Sequence, residues 1–298
     1  MPPSTTSYRT WIVALTSWSS WVAFSCAFGT PVEGSGSGPL AVPLVLGLGT
    51  TAVLAALVTG AAVVAYQKTR RFGSVLLGVF AFNWAVLAFN VRFYDDWKLE
   101  NWLTVPFVVL LYATHRAFRL SSISYGLLFV YMMLHIVGSH YTYAEVPFGF
   151  WLQQLFDQSR NHYDRIVHFS FGLLLAYPIR ELVVRISNVR GWWGLWFPIE
   201  FVLAFSCIYE LLEWAIAEIF GGDLGIAYLG SQGDVWDAQK DMALAGLGAM
   251  IAMAVVLLVR LAYDRRDFGR ELRESLRVKQ AEVMGEQALE RMPGLRDQ

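Results

Sequence analysis

The chain has 298 residues, of which 56% are hydrophobic and only 16% are charged, whereas about 25% of residues are charged in soluble domains. Its mean hydropathy of +0.44 and net charge of -1 favour a polytopic membrane protein and give no support for a nucleic-acid partner. The two cysteines, Cys26 and Cys207, lie far apart in apolar stretches, which excludes a disulfide framework and a CxxC metal motif.

Eight apolar segments reach or approach the roughly 20 residues that cross a bilayer. They lie at about 10–28, 40–66, 73–94, 102–118, 122–140, 163–185, 194–219 and 238–262. The first could also be a signal peptide, but its tryptophans and the single arginine before it favour a transmembrane helix. The sequence therefore predicts an all-α transmembrane helical bundle. Its parts are two N-terminal helices (1–72), a six-helix membrane domain (73–262) and a charged helical tail (263–298).

The loops predict how the chain crosses the membrane. Most lysines and arginines fall in alternate loops and in the tail, and the opposite loops hold only Arg92, Lys98, Arg160, Arg165 and Lys240. Because positively charged loops stay in the cytoplasm, both termini are predicted to be cytoplasmic. Acids and histidines from four segments then lie toward the outer face.

The sixth segment begins with the polar stretch "NHYDRIVHF". Asp164 and His168 are four residues apart and share a helix face, with Asn161 one turn earlier. Such a pair can bind a metal ion, or the acid can orient the imidazole. The alternative is a capped helix start at Asn161 or Asp164. We assign Asp164 and His168 to a metal site, with Asn161 and His162 as supporting residues.

The seventh segment carries two acids in "YELLEW". Glu210 and Glu213 share a face and are surrounded by apolar residues. Ionised carboxylates in hydrocarbon cost several kcal/mol, so these two need cations, protons or partners. We assign both a catalytic role; the alternative is a structural link to Arg165 or Lys240.

The eighth segment is preceded by "QGDVWDAQKDM", whose three aspartates fall on one helix face. Asp234 is a plausible helix cap and a supporting residue. Capping does not explain Asp241, two turns further on, so Asp241 is predicted as a metal ligand and Asp237 as a catalytic acid. Gln232 and Gln239 are predicted to support them by hydrogen bonds.

The stretch "HIVGSHYTYAEVP" closes the fifth segment. His140 is a further candidate metal ligand, and His135 and Tyr141 are candidate supporting residues. The two histidines are five residues apart, which splays them on a helix, and His140 and its neighbouring tyrosines could equally be interfacial aromatics.

No motif for covalent catalysis is present: the sequence has no GxSxG, Walker A or HExxH pattern. Carboxylates with imidazole suit Zn²⁺, Mn²⁺ or Fe²⁺, and carboxylates alone suit Mg²⁺. A divalent metal (Zn, Mn, Fe or Mg) is therefore the predicted cofactor.

Several long stretches resemble the YjdF-like family of bacterial inner-membrane proteins, which is named for a domain of unknown function. They are "DDWKLEN" (95–101), "SSISYGLLFVYMMLHIVGSHYTYAEVPFGFWLQ" (121–153), "SRNHYDRIVHFSFGLLLAYPIRELVVR" (159–185), "YELLEW" (209–214) and "GSQGDVWDAQKDMALAGLGA" (230–249). "DRIVHF" and "DVWDAQKDMALAGLGA" also look more loosely like VanZ-like membrane proteins. These resemblances imply a multi-pass protein of the bacterial inner membrane, and the VanZ likeness implies envelope lipids as the substrate class.

Three functions remain open. The first is a metal-dependent hydrolase or transferase that acts on an envelope lipid at the outer face. The second is a proton- or cation-coupled transporter that uses the same acids. The third is a structural or partner subunit without catalytic activity. The lipid bilayer is the one partner that all three require.

Overall fold

The computed structural model describes residues 72–222, 225 and 229–278. Over these residues it contains eight α-helices and no strand, so the predicted all-α fold is confirmed. The helices are α1 (Phe72–Leu87), α2 (Tyr94–Thr114), α3 (Ser122–Tyr141), α4 (Pro147–Leu155), α5 (Tyr163–Ser187), α6 (Trp193–Phe220), α7 (Asp237–Tyr263) and α8 (Arg265–Ser275). The predicted segments 10–28 and 40–66 and the end of the tail lie outside the described residues.

Four of these helices are long and apolar enough to cross a membrane: α3, α5, α6 and α7. They match the predicted segments 122–140, 163–185, 194–219 and 238–262 to within two residues at each end. Helix α1 is shorter than the predicted segment 73–94. It ends at Leu87, and Asn90 takes a left-handed conformation (φ 54°) that breaks the helix. The 16 residues of α1 span about 24 Å, against about 30 Å of hydrocarbon.

Helix α2 differs most from its predicted segment, 102–118. It begins eight residues earlier, at Tyr94, and takes in the charged stretch that the sequence placed in a loop. Its buried side chains are polar: Asp96, Glu100, Asn101 and Thr104. Its large apolar side chains are exposed instead: Trp102, Leu103, Val105, Val109 and Leu110. This inverted pattern suits a helix that has lipid on one side and a polar interior on the other.

The tightest packing joins α5 to α7, the two helices that carry three of the four predicted metal ligands. A Cβ atom on Gly172 of α5 would lie 1.8 Å from the carbonyl oxygen of Ala245, and one on Gly248 of α7 would lie 2.2 Å from that of Phe169. Ala245 and Ala249 are fully buried beside them. Small residues let two membrane helices approach closely, and here that approach brings their polar first turns together.

We expect Gly172→Ala to lower the free energy of unfolding by about 1–3 kcal/mol, because the added methyl group forces α5 and α7 apart. Metal binding should weaken in parallel. The matched control is Gly78→Ala on α1, where an added Cβ meets nothing within 4 Å. Denaturant unfolding of both variants and of wild type checks this; equal stability for the two variants would contradict the close packing.

The two ends of the bundle differ in character. Acids and histidines gather where α5 and α7 begin, and we call this the site end. At the opposite end Glu181 accepts hydrogen bonds from Ser121 N and Ser124 Oγ and pairs with Arg185. Helix α8 docks at that end too, with Phe268 fully buried. The acids and histidines thus gather at one end, as the sequence predicts, while the membrane face that this end meets and the cytoplasmic placement of the termini stay predictions.

Candidate metal centre

Three of the predicted metal ligands meet at the site end. Asp164 and His168 lie one turn apart on α5, and Asp241 lies one turn into α7. One ligand atom from each residue lies within 4.8 Å of the other two. Asp241 is only 2% exposed and His168 is also buried. The group therefore has the composition and the spacing of a metal site, with two ligands from one helix and one from its closest neighbour.

Glu210 of α6 lies beside these three residues, and we call Asp164, His168, Glu210 and Asp241 the metal group. The Nε2 atom of His168 lies 3.5 Å from Asp164 Oδ1 and 3.5 Å from Glu210 Oε1. That separation is at the outer limit of a hydrogen bond. It agrees with the ~3.3–3.6 Å between ligand atoms that surround one ion tetrahedrally at about 2.0–2.2 Å. These two separations suit ligands of a shared cation, and the ligand atoms of Asp164, His168 and Asp241, which lie within 4.8 Å of one another, would draw closer around a bound ion.

Two buried carboxylate oxygens in this group support a cation. Neither Asp241 Oδ1 nor Glu210 Oε1 has a hydrogen-bond partner among the described residues. Unpartnered buried polar atoms are costly and rare, and a bound cation would satisfy both oxygens. One imidazole and three carboxylates are a donor set for Zn²⁺, Mn²⁺ or Fe²⁺. The residues present therefore fit the predicted divalent metal.

A second layer of polar residues lies behind Glu210 and His168. The hydroxyl of Tyr209 donates a hydrogen bond to Glu100 Oε2 at 3.2 Å. The ring of Tyr209 packs edge-on against the His168 imidazole, with 5.9 Å between ring centroids. The carboxyl group of Glu213 lies close to Glu210 and to Tyr209. Glu100 of α2 is thus linked to a predicted ligand through a single tyrosine.

Sequence reasoning missed Glu100 and Tyr209. The predicted segment at 102–118 left Glu100 in a loop, so it was not counted as an acid inside a helix. The available signal was the spacing of Asp96 and Glu100, which are four residues apart and share a helix face directly before an apolar run. Tyr209 stands next to Glu210 in the sequence and carried no separate signal.

We expect Tyr209→Phe to weaken metal binding by about tenfold, the lower end of the usual outer-shell effect, because its hydroxyl bonds Glu100, which is not one of the predicted ligands. The variant keeps the ring against His168 and loses only the link to Glu100 and Glu213. Metal titration of Tyr209→Phe, Glu100→Gln and wild type checks this. Tyr112→Phe is the control, since Tyr112 is exposed on α2. If Tyr209→Phe binds metal with the affinity of wild type, the polar residues behind the ligands do not contribute to metal binding.

The other two aspartates of the α7 stretch pair with arginines. Arg160 donates to both carboxylate oxygens of Asp237, at 2.6 and 3.1 Å, and Arg165 donates to Asp237 Oδ1 at 3.1 Å. Arg165 also bonds Asp234 at 2.5 Å, and Lys240 bonds the same oxygen at 2.6 Å. We call these five residues the arginine clasp. The predicted catalytic residue Asp237 therefore lies in an ion-pair network, one turn before the predicted metal ligand Asp241.

The clasp shapes the ionisation of the groups around it. The ammonium of Lys240, the backbone N–H of Trp236 and the guanidinium of Arg165 hold the pKa of the Asp234 carboxyl well below its usual range. Partial burial and the nearby Arg165 and Arg160 lower the pKa of His162. Both shifts have the same sign for stability: the contribution is complete above the pKa of the unfolded chain and is lost as the pH falls below it.

The supporting residues hold the connection to α5 in place. The side chain of Asn161 accepts a hydrogen bond from Tyr163 N and donates one to Val146 O, and its backbone forms two hydrogen bonds with the Gln232 side chain. Asn161 and Gln232 thus join the loop before α5 to the loop before α7. Gln239 is exposed. His162 lies 3.5 Å from Arg165.

The two histidines of α3 lie outside the metal group. His135 bonds Thr104 Oγ1 through Nε2 and the Tyr143 hydroxyl through Nδ1. His140, predicted as a metal ligand, donates from Nδ1 to Leu87 O at 2.8 Å, and its ring packs edge-on against Tyr141. Both imidazoles tie α3 to neighbouring helices, and neither belongs to the group formed by Asp164, His168 and Asp241.

Comparisons with known proteins identify the family. Residues 72–262 match the family described as predicted membrane protein (DUF2238). The chain belongs to this family. It is also 42% identical to the inner membrane protein YjdF of Escherichia coli (strain K12) over 167 residues, which are 55% of this chain and 78% of that relative. No solved structure matches the chain.

Membership of the DUF2238 family confirms the YjdF-like resemblance and, with the apolar helices, an integral inner-membrane location. The comparisons do not show the looser likeness to VanZ-like proteins. All four residues of the metal group and the whole arginine clasp lie inside the region that matches the family.

Proposed function

We propose that this protein is a metal-dependent hydrolase or transferase that acts on an envelope lipid at the outer face of the inner membrane. The observation that carries the proposal is the convergence of Asp164, His168 and Asp241, whose ligand atoms lie within 4.8 Å of one another. The unpartnered oxygens of Asp241 and Glu210 support it. A divalent metal at these ligands would activate water or polarise a phosphoryl or carbonyl oxygen.

The protein's own groups would handle the proton. The carboxyl group of Glu213 lies close to that of Glu210, and a proton shared by the two acids would relieve the repulsion between neighbouring charges. Glu213 is therefore our candidate for the general acid and base. Asp237 forms ion pairs with Arg160 and Arg165. It would hold these two side chains in place at the entrance of the site. Glu210 would serve as the fourth ligand.

The depth of the site favours a lipid substrate. Asp164, His168 and Asp241 lie within the first two turns of helices long enough to cross the membrane, so they stand near one membrane surface. Lipid headgroups lie at this depth. The loop charges predict that this surface is the outer one.

Turnover of defined lipids tests the proposal. Wild type in nanodiscs of envelope phospholipids, loaded with Zn²⁺, Mn²⁺, Fe²⁺ or Mg²⁺, should convert a lipid to a product seen by mass spectrometry, and His168→Ala should not. Arg92→Ala is the control, since Arg92 forms an exposed pair with Glu145 away from the metal group. A metal-loaded wild type that leaves every lipid unchanged would exclude the enzyme.

A thiol-labelling experiment tests the side of the membrane. Val235 is 85% exposed beside the clasp. In a variant without Cys26 and Cys207, a cysteine at position 235 should react with an impermeant reagent from outside the cell. Labelling that needs permeabilised cells would place the site at the cytoplasmic face.

A cation transporter is the second candidate, and one observation favours it. The neighbouring polar residues Glu210, Glu213, Tyr209 and Glu100 lead from the metal group to α2. Ion flux in vesicles that is lost in Glu213→Gln would support transport. A structural subunit would instead show lower thermal stability in Glu213→Gln, with neither flux nor lipid turnover in wild type.

A further inference from the structure

The arginine clasp has more donors than its aspartates use. Arg160 and Arg165 approach the same oxygen, Asp237 Oδ1, at 2.6 and 3.1 Å. Each guanidinium presents five N–H donors in one plane. The Nε atoms of both arginines are buried and have no hydrogen-bond partner among the described residues. Arg160 is only 8% exposed, so water does not readily satisfy its free donor.

Two unused donors beside a shared carboxylate indicate an acceptor with more oxygens than a carboxylate has. Leaving a charged, buried donor unpaired is costly. A phosphate group offers three or four oxygens and matches the planar fork of arginine, which is why arginine pairs recognise phosphate so often. The carboxylate of Asp237 holds the two guanidinium groups in an arrangement that a phosphate could share or take over.

The charge distribution favours an anion at the arginine clasp and disfavours one among the carboxylates of the metal group. Arg160, Arg165 and Lys240 outnumber Asp234 and Asp237 in the clasp, and the N-terminus of α5 adds a positive partial charge. One turn further in, the next groups are the carboxylates of the metal group. An anion that binds the clasp would therefore stop at the entrance, with one edge facing the metal ligands.

We propose that Arg160 and Arg165 form a binding site for the phosphate group of the substrate, at the entrance of the metal centre, with Asp237 as the internal anion that competes for it. This inference rests on the proposed function and narrows its substrate class to a phosphorylated lipid headgroup. A free phosphate ion shares the same chemistry. The site orients phosphate, and the groups of the metal centre remain available for the reaction.

Binding of short-chain phosphatidic acid to the full chain tests the proposal. Calorimetric titrations use chelator-treated protein, so that a metal does not contribute, and are repeated on metal-loaded protein. Inorganic phosphate and the diacylglycerol with the same chains are the comparison ligands. The variants are Arg165→Ala, Arg165→Lys and Asp237→Asn, with Arg92→Ala as a matched arginine control.

We expect wild type and Arg92→Ala to bind phosphatidic acid and not diacylglycerol. Arg165→Ala should weaken binding by about tenfold or more, the usual loss for one charged hydrogen-bonding partner. Arg165→Lys should also weaken it, because the charge stays and the planar fork is lost. Asp237→Asn should bind more tightly than wild type and gain more thermal stability from the ligand. If Arg165→Ala does not fold, the binding measured for Arg165→Lys and Asp237→Asn still tests the phosphate site.

The outcomes separate this inference from the proposed function. Equal binding of phosphatidic acid and diacylglycerol, or unchanged binding in both Arg165→Lys and Asp237→Asn, would overturn the phosphate site even if metal binds. If the protein binds phosphatidic acid but no metal, the phosphate site is supported and the proposed metal-dependent enzyme is contradicted. Inorganic phosphate that binds as tightly as phosphatidic acid would uphold the site and assign it to the free ion.

Discussion

Asp241→Asn and His168→Ala are each expected to remove stoichiometric metal from the purified protein. Both side chains are buried and belong to the group whose ligand atoms lie within 4.8 Å of one another. Loss of a direct ligand should weaken binding by more than the roughly 10–100-fold that an outer-shell change costs. Elemental analysis after purification in Zn²⁺, Mn²⁺ or Fe²⁺ measures it.

Metal should also stabilise wild type and not these variants. A ligand that binds only the folded state adds about 2.7 kcal/mol when its free concentration is about 100-fold above the Kd. Asp95→Asn is the control, because Asp95 is an exposed acid at the same end of the bundle. A metal-free wild type, with both variants folded as well as wild type, would rule out the metal centre.

Asp237→Ala is expected to produce the largest loss of stability, about 3–5 kcal/mol, because it leaves two arginines without their shared acid. The side chains of Arg160 and Asp237 are 9% and 7% exposed, so water compensates little. Replacing Arg160 and Asp237 together by apolar residues of similar volume should cost less than the single change. Chemical unfolding of the single and double variants in one detergent measures both effects.

The control for this prediction is Glu145→Ala, which breaks the ion pair with Arg92. Those two side chains are 32% and 48% exposed, and exposed pairs contribute about 1 kcal/mol or less. If Asp237→Ala destabilised the protein no more than Glu145→Ala, the ion pairs of the clasp would contribute no more than an exposed pair does. Arg160 would then be able to find another partner or reach solvent.

Much of the helical architecture was predictable from local pattern. Apolar segments of sufficient length predicted the four membrane-crossing helices closely, because hydrocarbon thickness sets a minimum length. The α2 boundary was wrong for a physical reason. Charged residues that open an apolar segment look like a loop, but acids such as Asp95 and Asp96 are stabilised in the first turn of a helix. In that turn Asp95 is exposed and pairs with Lys98 of the same helix, whereas Asp96 is buried and accepts a hydrogen bond from Thr142, which follows α3.

The pairing of Asp164 with His168 also followed from the sequence, since a helix places residues four apart on one face. The partners of the other acids did not. Asp237 and Asp241 are the same residue type and lie one turn apart, yet one pairs with arginines and the other joins the metal group. His140, also predicted as a ligand, bonds a backbone carbonyl through Nδ1 and lies outside the group of Asp164, His168 and Asp241.

The sequence by itself determined that this is an all-α membrane protein, which residues share a helix face, and that its acids and histidines gather toward one end of the helices. Only the tertiary structure decided which acids meet His168, which meet Arg160 and Arg165, and that Glu100 reaches the site through Tyr209. The reason is that periodicity defines the faces of each helix, whereas close contacts such as Gly172 against Ala245 decide which faces come together.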